Sequence, residues 1–152
     1  MSTRNFALIG GVVMLVMGCL ALVPVLNSGV DTLPVLYVNT SYGLFLDLFP
    51  MNILNKVALI IFGLAGMACY FAKDQSFRYS KIFSKTVFWV MGALAILGLF
   101  PQTNTLSGYW PLFGYEVIAH GIFAVMGGYF GYLAIREQTH HHHHHQHGLH
   151  EI

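Results

Sequence analysis

Charge is what this chain has least of. Of its 152 residues only 9% are Asp, Glu, Lys or Arg, where soluble domains average about 25%. The few charges nearly cancel, leaving a formal net charge of +1, so there is no basic stripe of the kind that binds nucleic acid. Cysteine is nearly absent too. Cys19 and Cys69 each lie inside an apolar run, where a thiol behaves as a small hydrophobe. That excludes a disulfide framework and a thiolate metal cluster. Before the C-terminal tail the only histidine is His120, so no Ser/His/acid set can be assembled. Phosphate-binding glycine loops, HExxH and GxSxG are missing as well. An enzymatic role is not expected.

What the chain has in abundance is long apolar runs. It is 56% hydrophobic, with a mean hydropathy of +0.63, the profile of an integral membrane protein. Four runs, residues 6–23, 51–71, 82–100 and 115–135, are each long enough to cross about 30 Å of hydrocarbon at about 1.5 Å per residue. The expected fold class is therefore an all-α membrane protein with four transmembrane helices. Residues 1–137 form this domain and residues 138–152 a flexible histidine-rich tail. Arg4 and Val16-Met17-Gly18-Cys19 loosely resemble a lipoprotein signal. The apolar run continues past Cys19, however, and Met is a poor residue before that Gly, so a first transmembrane helix is the expectation.

The loops set the topology. Residues 27–47 contain Asp31, Asp47 and several aromatics, with no Lys or Arg. Tyr37, Tyr42 and Phe45 suit an interfacial belt or a short helix on the membrane surface. Pro50 stands where a proline can open the second helix. The loop at residues 72–85 carries Lys73, Arg78, Lys81 and Lys85 against Asp74 alone, and residues 101–114 carry no charge. Positive residues concentrate on the cytoplasmic side. Both termini and the 72–85 loop are thus expected in the cytoplasm of a multi-pass inner (plasma) membrane protein.

The chain also reads as a weak tandem repeat. Val16-Met17-Gly18 matches Val90-Met91-Gly92, and Phe49, Asn52, Lys56 and Gly63 match Phe113, Glu116, His120 and Gly127. Two parallel-repeated helical hairpins forming a four-helix bundle follow from this. The repeat brings Asn52 and Lys56, four apart on one helical face, to the same end as Glu116 and His120. Lone charges are expensive in lipid, so the cheapest arrangement pairs Lys56 with Glu116 across the bundle. As a structural feature this polar cluster clamps helices in register. As a functional one it relays protons or binds a metal through Glu116 and His120. Gly63, Gly66, Gly127 and Gly131 supply small faces for helix packing, within the bundle ahead of a homodimer face.

The tail contains His140, His141, His142, His143, His144 and His145 in succession, then His147 and His150. It reads either as a native segment, which would buffer Zn, Ni or Cu through borderline imidazole ligands, or as an appended tag. No other cofactor is expected.

The run Phe49-Pro50-Met51-Asn52, followed by Gly63 and Gly66, resembles the second-helix signature of the bacterial membrane family called domain of unknown function 4383. The run Glu116-Val117-Ile118-Ala119-His120 resembles its fourth-helix signature, an acid followed four residues later by histidine. The similarity covers about residues 6–135. It implies four transmembrane helices and no established activity. The chain departs from the family at Asn55 and Leu59, where members often have histidines. That weakens a metal site shared across the bundle and favours the Lys56–Glu116 pair. The expected function is that of a small structural or interaction component of the membrane. Its partners are the lipid bilayer and either a second copy or another membrane protein. The alternative is metal-ion or proton handling through Glu116, His120 and the tail.

Overall fold

The computed structural model describes residues 1–134. Four helices account for most of it: α1 (Thr3–Ala21), α2 (Ile53–Phe71), α3 (Ser76–Gly98) and α4 (Tyr115–Gly128). Of these, α1, α2 and α3 are long and apolar enough to cross a membrane. A π-helical turn, Tyr129–Leu133, continues α4. The starts of α1 and α2 are set by side-chain caps. The Ser2 hydroxyl accepts from Asn5 N at 3.1 Å, and Asn52 opens α2 with a reciprocal bond to Asn55. Each satisfies a backbone donor that the helix leaves without a partner.

Three sequence expectations are corrected by local physics. First, α3 begins at Ser76, so Arg78, Lys81 and Lys85 ride on its first turns and only a tight turn joins it to α2. Hydropathy marks where a helix enters lipid, whereas hydrogen bonding continues it into water. The buried Ser76, Ser80 and Ser84 recur every four residues, so this polar start has its own packing face. Second, Pro50 does not open α2. It lies in a strand, in the sheet made by β1 (Asn27–Ser28), β2 (Gly43–Phe45) and β3 (Phe49–Met51). The order is β1-β2-β3 and both pairings are antiparallel, with Leu44 opposite Pro50. Edge strands tolerate proline because one side of the strand needs no N–H donors. Third, Phe45 is not interfacial; it is buried with Ala21 and Met51.

The helices pack chiefly as α1 along α2 and α3 along α4, with α3 also touching α1 and α2. Phe6, Met14, Phe83, Val87, Met91, Ala124 and Phe130 are buried together between them. Phe6 stacks on Phe130 with ring centroids 5.1 Å apart. The π turn contributes to this junction. Ala134 N donates to Tyr129 O, five residues back, which frees the Phe130 carbonyl that an α-helix would have engaged. Thr3 Oγ donates to that carbonyl at 2.9 Å, tying the start of α1 to the end of α4.

Close helix approach depends on glycine. A Cβ on Gly63 would lie 2.5 Å from Leu15 N and 2.6 Å from Gly11 O, both backbone atoms of α1. A Cβ on Gly127 would lie 2.7 Å from Ser84 O and 2.9 Å from Phe88 N of α3. Gly66 faces α1 and Gly131 faces Lys85 of α3. All four glycines are therefore closed by neighbours within the same chain.

Candidate functional site

The polar groups gather at the end of the molecule formed by the starts of α2 and α4 and by the two loops 27–47 and 101–114. Asn52 Oδ1 accepts from Leu54 N at 3.0 Å and from Asn55 N at 3.4 Å, while Asn55 Oδ1 accepts from Asn52 N at 3.0 Å. The capping exchange leaves the Asn52 amide group free to reach outward. Asn52 Nδ2 donates to Val38 O at 3.0 Å and Tyr109 O at 2.8 Å, one carbonyl from each loop. Asn55 Nδ2 donates to Pro111 O at 3.0 Å. The loops also bind each other, since Tyr37 N and Val38 N both donate to Gly108 O. In the first loop, Tyr42 OH donates to Pro34 O, and burial raises its phenol above the ordinary range.

Lys56 completes this fastening, and here the expected pairing with Glu116 is overturned. Lys56 Nζ donates to Ser41 O at 2.6 Å and to Ser41 Oγ at 2.8 Å. The ammonium is drawn to the first loop because Ser41 presents two oxygens at once, on a residue held at positive φ. Glu116 faces His120 instead, one helical turn along, with Oε2 3.4 Å from His120 Nε2. Among the described residues this is the one acid–base contact within 4.0 Å.

A double-mutant cycle tests the new assignment. Lys56→Met combined with Glu116→Gln is expected to be additive in unfolding free energy to within about 0.5 kcal/mol, as for independent sites. Lys56→Met combined with Ser41→Ala is expected to show coupling of about 1–2 kcal/mol, because a charged hydrogen bond is shared. Strong coupling in the first pair would restore the ion pair across the helices.

Glu116 and His120 border a cavity of about 50 Å³ that Met17, Met51, Met91, Trp110 and Phe123 also line. Glu116 is only 3% exposed. Three buried side-chain atoms at this cavity have no hydrogen-bond partner: Trp110 Nε1, Glu116 Oε1 and His120 Nδ1. Sequence reading thus placed Asn52, Lys56, Glu116 and His120 at one end, and the structure divides them into two sets. Asn52 and Lys56 hold loops, whereas Glu116 and His120 face a cavity. Ser41, Asn55 and Trp110 were missed. Asn52-x-x-Asn55 at a helix start is a capping pattern and could have been found. Ser41 carried no signal. Among the described residues no three His, Cys, Asp or Glu side chains gather as a metal site. The tail histidines, His140 to His150, lie outside the described residues.

The family model described as Domain of unknown function (DUF4383) matches residues 4–133. No curated protein and no solved structure matches.

Proposed function

We propose, from the premise that this chain belongs to the family described as Domain of unknown function (DUF4383), that it is a non-enzymatic structural or interaction component of the bacterial inner membrane. In this reading α1, α2, α3 and the α4 segment all span the bilayer as one four-helix bundle with both termini cytoplasmic. One observation carries the structural role. The buried polar side chains at the start of α2 are engaged in fastening the two loops, through Val38, Ser41, Tyr109 and Pro111.

Several features support the membrane architecture. Large apolar side chains face outward along each helix, including Ile9 and Val16, Ile61 and Leu64, Trp89 and Ile96, and Ile122 and Val125. The basic residues Arg4, Lys73, Arg78, Lys81 and Lys85 cluster at the end opposite the fastened loops, as the positive-inside rule requires. There Arg4 Nε donates to Ser76 Oγ at 2.7 Å, and its guanidinium sits 5.1 Å from the Tyr70 ring centre. The tandem repeat is supported by the glycine contacts. Gly63 meets the carbonyl of Gly11 and the amide of Leu15, and Gly127 meets the carbonyl of Ser84 and the amide of Phe88. That equivalence is one residue off the register of the Val16-Met17-Gly18 and Val90-Met91-Gly92 match.

Labelling in intact cells tests the orientation. With Cys19 and Cys69 replaced by Ser, Asp31→Cys is expected to react with a membrane-impermeant maleimide from outside. Gln75→Cys is expected to react only after permeabilisation. The reverse pattern would overturn the topology. The structural role is tested in the same cells, where Lys56→Met and Asn52→Ala are expected to lower the amount of protein present. A Lys56→Met chain present at full abundance would sink that role.

A further inference from the structure

The cavity beside Glu116 and His120 has a donor set that the loop-fastening role leaves unused. Met17 lies four residues before the end of α1, His120 five residues after the start of α4, and Met91 seven residues before the end of α3. At about 1.5 Å of rise per residue, they stand about 6, 8 and 10 Å below the same end of the molecule. Two thioethers and an imidazole from three different helices therefore lie at similar depths. All three residues line the same cavity, and Met51 lines it as well. Three of the seven Met residues in the chain line this one small cavity.

The Glu116–His120 contact has a consequence for the imidazole. Glu116 meets the imidazole through Nε2, which lies 3.4 Å from its Oε2, and leaves Nδ1 on the side away from the acid. Nδ1 is buried without a hydrogen-bond partner, and in its unprotonated form it has a lone pair to give to an ion. A carboxylate behind one ring nitrogen with the other nitrogen free is the arrangement that supports metal-ligating histidines. Zinc is disfavoured, since no three His, Cys, Asp or Glu side chains gather among the described residues. Thioether sulfur is a soft ligand and selects Cu(I). The volume of about 50 Å³ exceeds the about 10–15 Å³ that one water needs, so an ion has room.

We propose that this cavity is an intramembrane Cu(I) site, with His120 Nδ1 and the sulfurs of Met17 and Met91 as ligands, Met51 adjoining, and Glu116 as the positioning residue for the imidazole. The ion joins α1, α3 and α4, which is compatible with the structural role above but does not depend on it. Trp110 Nε1–H is a donor and takes no part in ligation.

The test uses the full-length chain carrying Cys19→Ser and Cys69→Ser, purified under reducing conditions and loaded with Cu(I) against a chromophoric Cu(I) chelator. Residues 136–152 contain neither Met nor Cys. Copper–sulfur scattering in the X-ray absorption spectrum therefore cannot come from the histidine tail, and in this chain must come from methionine. That scattering is the expected result. Met17→Leu with Met91→Leu should abolish it, and Glu116→Gln should weaken the sulfur-ligated copper about 10–100-fold, as loss of an outer partner does. A spectrum with nitrogen scattering alone would overturn the proposal and leave water as the partner of Glu116 and Trp110. Copper–sulfur scattering that survives the Leu pair would overturn it equally, by placing copper on other methionines. Should the Leu pair fail to fold, Met17→Leu and Met91→Leu made singly carry the same prediction: each should lower the copper–sulfur scattering, and an unchanged spectrum in both would overturn the proposal.

Discussion

Gly63→Ala is expected to destabilise the protein by about 3 kcal/mol or more, at or above the upper end of the range for overpacking. Marginal stabilities are about 5–15 kcal/mol, so a single methyl would remove a large share. The reason lies in what the methyl meets. Its carbon would stand 2.5 Å from Leu15 N and 2.6 Å from Gly11 O. Backbone atoms inside a hydrogen-bonded helix cannot turn aside as a side-chain end can. Relief comes only by moving α1 away from α2 along its length, which opens the contact around Gly11, Gly18 and Gly66 at the same time. Gly121→Ala in α4 is the control, because nothing lies within 4 Å of a Cβ built there. The control is expected to be neutral or to gain up to about 1 kcal/mol from helix propensity. Unfolding in mild detergent, followed by helical circular dichroism, measures both. Equal effects at the two positions would refute the close-packing argument.

Asn52→Ala is expected to cost about 3–5 kcal/mol and to release both loops. Loss of the helix cap alone costs about 0.5–2 kcal/mol. The larger part comes from two carbonyls, of Val38 and Tyr109, which lose the Asn52 Nδ2 donor. An unsatisfied acceptor costs about 1–3 kcal/mol when buried; both of these bonds are only partly buried, so each falls at the lower end, and the terms overlap because the loops can relax together. Asn52→Ser separates the two contributions. Serine retains a capping oxygen but cannot reach both loops, so most of the loss should remain. Hydrogen exchange reads the consequence directly. Amides of Tyr37 and Val38, which donate to Gly108 O, should exchange much faster in both variants, while amides within α3 keep their protection. Asn52→Ser with wild-type stability would show that the cap, and not the tether, is what matters.

These two residues also show how far the sequence was legible. Asn52 was singled out as a polar group at the start of a span, which is a local property. Its role as a tether depends on carbonyls 14 and 57 residues away in the chain. Gly63 was read as a packing residue from its size, but which helix it admits is decided by how the chain closes. Lys56 makes the point most clearly. Its flexible stem can serve any oxygen within reach, and depth plus repeat symmetry pointed to Glu116. The structure offers Ser41 instead, with two oxygens at 2.6 and 2.8 Å.

What the sequence determined by itself is whatever accumulates along a helix: the apolar stretches, the side on which the positive charges lie, and the faces on which small and polar residues recur. These follow from hydropathy and from the helical period, and they hold whatever the helices later meet. Tertiary structure decided the rest. Strands of two or three residues are too short for any periodic signal, so the sheet between α1 and α2 was invisible. The start of α3 was misplaced because hydropathy marks where lipid begins, not where hydrogen bonding does. The cavity lined by Met17, Met51, Asn55, Met91, Trp110, Glu116 and His120 draws on four helices, a strand and a loop. No local pattern unites those residues. They meet only because the glycine contacts of α1 with α2 and of α3 with α4 fix how closely the helices approach.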